Sequence, residues 1–196
     1  MATLGGHGHS VWSVALSPDG RWAATGTGLG FDQPGEADNA ARLWSLTGGA
    51  ALVHREPIEA RVTALAFVPS SQELLVGTAA MRLVRFAVAP PRVVAVLRGG
   101  GIATGPDDFS GQLVRAPAHA GVVRAIAVAA DGRAFSASGG EDPSRNELRA
   151  WDAAGRERYR VLGRPTALRR LALSPDGRRL VSWSEGGVVE VWETGD

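Results

Sequence analysis

From Val11 the chain reads VWSVALSPDGRWAATG: an apolar run rich in strand-forming residues breaks at Pro18-Asp19-Gly20 and then resumes. Runs of this kind bounded by turn residues predict strands. Proline presets φ at the second turn position, aspartate tolerates the third and glycine supplies positive φ, so the pattern predicts a tight hairpin. The same pattern recurs as VTALAFVPSSQELLVG from Val62, VRAIAVAADGRAFSAS from Val123 and LRRLALSPDGRRLVSW from Leu168. A third short apolar run follows each hairpin and ends in an aromatic residue, at Trp44, Phe86, Trp151 and Trp192. A fourth run then precedes the next unit: AALVHR, RVVAVLRG and RERYRVLG.

Four antiparallel strands per unit is the content of one blade of a β-propeller. The turn positions Asp19, Ser70, Asp131 and Asp176 lie 51, 61 and 45 residues apart. Three insertions account for the irregularity: GTGLGFDQPGEAD, the glycine-rich stretch between Phe86 and His119, and GGEDPSRNE. Without them the period is roughly 41 to 42 residues, as expected of one repeat architecture. The chain is therefore read as one all-β domain over 1–196, a propeller of four-stranded antiparallel blades. Its repeats fall at about 6–56, 57–102, 117–162 and 163–196, with 1–5 as a closing outer strand.

These units resemble the WD40 repeat family. Unit one carries Gly6-His7, Ser17-Pro18-Asp19-Gly20, Thr25-Gly26, Asp38 and Trp44; unit three keeps His119, Asp131-Gly132, Asp142 and Trp151-Asp152. Unit four keeps its turn, Ser182 and Trp192 but has Arg164 in the histidine place and Gly186 in the aspartate place, while unit two has Ala80 and Phe86 where Asp and Trp belong. The resemblance implies a buried hydrogen-bonded network of His7, Thr25, Asp38 and Trp44, repeated in part by His119, Asp142 and Trp151 and by Ser182 and Trp192. A structural role for these residues explains them better than a catalytic triad.

Composition narrows the chemistry. With 21 basic and 20 acidic residues the net charge is +1, which favours neither nucleic acid nor an anionic membrane. There is no cysteine, and no apolar run approaches a membrane span, so the reading is a soluble cytoplasmic protein. GHGHS offers two histidines, but one is taken by the network; GTGLG lacks a following helix; Asp107 and Asp108 fit a solvated loop. No catalytic set, metal or cofactor is expected. From Arg156 to Arg179 eight arginines face two acidic residues, a feature of solvated strands or of a surface for an acidic or phosphorylated partner.

The resemblance further implies that partners bind on the top face, where the insertions gather. By alignment the residues opening the inner strands are Trp12, Thr63, Arg124 and Arg169, with Arg61 just before one of them. An exposed Trp among arginines has the composition of an interface hot spot. The expected function is a non-enzymatic scaffold or sensing module that binds a protein or peptide. The alternatives are a metal-assisted, hydrolase-like enzyme on a propeller scaffold and a regulatory fragment of a larger propeller. Four repeats are few for a ring, which leaves closure within one chain, an eight-bladed ring of two chains head to tail, or an open partial propeller.

Overall fold

Each Pro-Asp-Gly or related turn joins two antiparallel strands, and each pair extends outward into a small sheet. The computed structural model describes residues 2–29, 38–70, 72–98, 101–104 and 118–195. Blade 1 is β1 (Val11–Leu16), β2 (Trp22–Thr27), β3 (Ala40–Ser45) and β4 (Ala51–Pro57). Blade 2 is β5 (Val62–Phe67), β6 (Glu73–Thr78), β7 (Leu83–Val88), β8 (Pro91–Arg98) and β9 (Gly101–Thr104). Blade 3 is β10 (Val122–Val128), β11 (Ala134–Gly139), β12 (Glu147–Trp151) and β13 (Glu157–Val161); blade 4 is β14 (Leu168–Leu173), β15 (Arg179–Ser184) and β16 (Val189–Glu193). Neighbours in sequence are neighbours in each sheet, so every blade is an up-and-down antiparallel meander and the whole is a four-blade propeller arrangement.

Each turn is fixed by its own side chains. Ser17 Oγ donates to Asp19 at 2.6 Å, Asp19 accepts from the Arg21 amide, and Gly20 takes φ 70°. Ser174, Asp176, Arg178 and Gly177 repeat the arrangement in blade 4. The register beyond the turn is shared too: Val11, Val62, Val123 and Leu168 pair with Thr27, Thr78, Ser138 and Ser184, and a bulge follows each pair.

That shared register makes the blade seams repeat. The inner strands pack in order, β1 on β5, β5 on β10 and β10 on β14, and no comparable packing joins β14 to β1. Val62, Leu65 and Phe67 of blade 2 bury against Ala24, Ala41 and Leu43 of blade 1. Leu168, Leu171 and Leu173 of blade 4 pack likewise on Phe135, Ala137 and Leu148 of blade 3. Close approach needs small residues: a Cβ on Gly77 would lie 2.6 Å from Val123 Cγ1. The two outermost faces lack such a neighbour. Val14 and Leu16 are 71% and 63% exposed where Leu65 and Phe67 are 9% and 6%, and on blade 4 Trp183, Val189 and Val191 are exposed.

Two features depart from the sequence reading. Residues 2–10 form no strand, so the outer strand expected at 1–5 does not appear among the described residues and blade 4 has three strands. Blade 2 has gained β9, antiparallel to β8, within the stretch read as an insertion.

Candidate binding face and its buried supports

In blade 3 a fully buried polar chain ties the segment before the inner strand to the sheet. His119 Nδ1 lies 3.0 Å from Glu147 Oε1 and its Nε2 lies 2.6 Å from Ser136 Oγ. A carboxylate only accepts, so Nδ1 carries the proton, Nε2 accepts from the Ser136 hydroxyl, and that oxygen accepts the Trp151 indole N–H at 2.7 Å. Glu147 also accepts from the Ala120 amide and from Arg149. Burial alone would raise the Glu147 pKa, but the hydrogen bonds from His119, Ala120 and Arg149 outweigh it and hold it at about 2. Burial pushes His119 below the usual imidazole range, which keeps it neutral. Asp142, expected in this network, is instead exposed and caps the 3-10 turn Pro143–Arg145 by accepting from the Ser144 amide. Glu147 supplies the carboxylate because that turn moves Asp142 away from the imidazole.

Blade 1 builds a variant. His7 Nε2 is 2.9 Å from Thr25 Oγ1, which accepts from the Trp44 indole at 2.9 Å. Asp38 does not touch the imidazole; it accepts from the Gly8 amide at 2.8 Å and from Arg42 and Arg55. Those bonds overcome the effect of burial and bring Asp38 to about 2. In blade 4 Trp192 donates to Ser182 at 2.9 Å, and Arg164, in the histidine place, lies over the indole at 5.2 Å and pairs with Glu190. Blade 2 has no such chain: Ile58, Val76 and Phe86 hold the corresponding positions.

The inner strands of all four blades line a common cavity of about 280 Å³ whose walls include Trp12, Thr63, Arg124 and Arg170. Trp12 is 46% exposed; its indole donates to Gly28 O at 3.0 Å, and the Arg61 guanidinium stacks on it at 4.4 Å. Thr63 donates to Val123 O across the blade 2–3 seam. Arg124 donates to Gly139 O at 2.9 Å, and its pKa is lowered by burial and then by the positive charges of Arg169 and Arg61. Arg169 pairs with Glu185. The opening of the inner strands thus gathers one exposed indole and three arginines, of which Arg61 and Arg169 both act on Arg124. Asp107 and Asp108 lie outside the described residues, as does Gly30 of GTGLG. Among the described residues no three His, Asp or Glu side chains converge as metal ligands, and no helix is long and apolar enough to cross a membrane.

Comparison with known proteins follows the same lines. Residues 1–45 match the family model for the WD domain, G-beta repeat. No curated protein matches the chain. The crystal structure of the computationally designed Ika4 protein is similar in fold, with a TM-score of 0.70 at 19% identity over 99% of this chain and 97% of that one. The chain thus has the fold of a four-blade β-propeller, and its first repeat is similar to the WD domain, G-beta repeat.

Proposed function

We propose that the protein is a cytoplasmic, non-enzymatic scaffold that binds an acidic or phosphorylated protein segment at the mouth of the central cavity. WD40 propellers typically serve as protein-interaction scaffolds. The observation that carries the finer reading is the gathering of Arg61, Arg124 and Arg169 around exposed Trp12. Arg124, with the positive charges of Arg169 and Arg61 nearby, gains from an anion, and a rigid exposed indole supplies apolar contact at low entropic cost. Titration with a glutamate-rich peptide and with its phosphoserine counterpart tests it. The Arg124→Glu/Arg169→Glu double variant should remain folded, with a lower melting temperature as the contacts of Arg124 with Gly139 and of Arg169 with Glu185 are lost, and should lose both peptides. Equal binding by the variant would overturn the reading.

A second reading, self-association, rests on the uncovered faces of blades 1 and 4, which are the two halves of the seam repeated inside the chain. Two copies head to tail would cover both and give an eight-bladed ring. Trp183 stands in the column held by Gly26, Gly77 and Ala137, so a seam between copies is wider there than the internal ones. Light scattering over a concentration series should give a mass near twice 20.4 kDa; a constant mass of one chain excludes this reading.

A further inference from the structure

Blade 2 differs from blades 1 and 3 at every position of the buried polar chain. The residue four before the first inner-strand pair is His7 or His119 in those blades and Ile58 in blade 2. The registers Thr25↔Arg42, Val76↔Val84 and Ser136↔Arg149 put Val76 in the hydroxyl column and Val84 in the arginine column. Phe86 takes the tryptophan place. Imidazole, guanidinium and indole have thus become sec-butyl, isopropyl and phenyl groups, the last two smaller than those they replace. A cleft of about 630 Å³ lies between blade 2 and the outer strands of blade 1, walled by Ile58, Val76, Val84, Phe86, Val93 and Val96. That volume is within the range of small-molecule sites, and an apolar wall with a few charged groups at the rim is their usual composition.

The rim fixes the polar end of the occupant. Glu59 pairs with nearly buried Arg82, and Glu56 is 3.0 Å from His54. Arg92 at the same rim is exposed and makes no ion pair among the described residues. We propose that this cleft binds a small amphipathic carboxylic acid, with the hydrocarbon body against the partly exposed Ile58, Val84 and Val93 and the carboxylate at Arg92. The site is separate from the cavity mouth and does not depend on the scaffold reading.

Calorimetric titration of the full chain with decanoate, and with decanol as the uncharged match, tests the proposal. Decanoate is expected to bind one to one, with the negative heat-capacity change of apolar burial. Arg92→Ala, at an exposed position, should weaken decanoate about threefold to fivefold and leave decanol unchanged. Val93→Trp should abolish both if its melting curve shows a folded protein. Absence of decanoate binding to the unaltered chain, or binding untouched by a folded Val93→Trp, overturns the site. An unchanged decanoate affinity in Arg92→Ala overturns the placing of the carboxylate.

Discussion

Blades 2 and 3 are neighbours whose first four strands share one order and register, yet their interiors solve the same packing problem with opposite chemistry. In blade 3 the loop before the inner strand is fastened by a directional chain from Glu147 through His119 and Ser136 to Trp151. In blade 2 it is fastened by Ile58 and by the ion pair of Glu59 with Arg82. Arg82 stands two residues before Val84, as Glu147 stands two before Arg149, so even the sign of the buried charge is reversed. The backbone architecture therefore tolerates either interior, while the polar one specifies a single geometry and the apolar one leaves space.

The sharpest way to break this contrast is Glu147→Ala, which removes the acceptor of the buried His119 N–H and of the Ala120 amide and leaves Arg149 paired with Glu157 alone. It should cost about 3 kcal/mol in urea unfolding, as for buried donors left without an acceptor. The corresponding truncation in blade 2, Arg82→Ala, frees only half-exposed Glu59 and should cost less. Acid should act on blades 3 and 1, through Glu147 and Asp38. Glu147 and Asp38 sit at about 2 in the folded chain, so the unfolded chain binds more protons below the usual carboxylate pKa. Their stabilisation is present above pH about 4.5 and is lost as pH falls toward about 2. Burial lowers His119 too, so its contribution is full above about 6.5 and shrinks below it. Melting temperatures should fall through both windows, and in Glu147→Gln the loss in the acid window should be smaller, with only the Asp38 part remaining.

Smaller effects sharpen the contrast further. Ser136→Val leaves the His119 Nε2 and the Trp151 N–H unpaired and should destabilise by about 1–3 kcal/mol by thermal melting. At the smallest end, Val84→Leu adds a methylene beside the blade 2 cleft and should change stability by less than about 1 kcal/mol. Ala137→Val, in the packed blade 3–4 seam, should cost about 1–3 kcal/mol through overpacking. Equal effects for that pair would mean the two interiors are packed alike.

Much of this was legible in the chain. The Pro-Asp-Gly turns set the hairpins, and with the register set, the columns of hydroxyl and aromatic residues align without further information. Glycine-rich GGGIAT reads as loop because glycine is poor in strands, yet β9 forms against the edge that β8 presents. Asp142 has the right spacing for the network, but its side chain serves the local 3-10 turn, a competition that spacing does not reveal. The blade 2 cleft is a property of missing volume; it emerges only when Val84 is set beside Arg42 and Arg149, which requires the pairing register.

The packing of β1 on β5, β5 on β10 and β10 on β14, without a matching seam from β14 back to β1, has a thermodynamic consequence. Among the described residues the main packing of each blade is on the blades next to it, so the molecule behaves as a short one-dimensional array in which stability is a sum of units and nearest-neighbour couplings. The end units share one coupling each and the middle units two. Amide exchange should therefore be slowest in β5, β6, β10 and β11 and fastest in three-stranded blade 4. Opening begins at that end and works inward, one blade at a time.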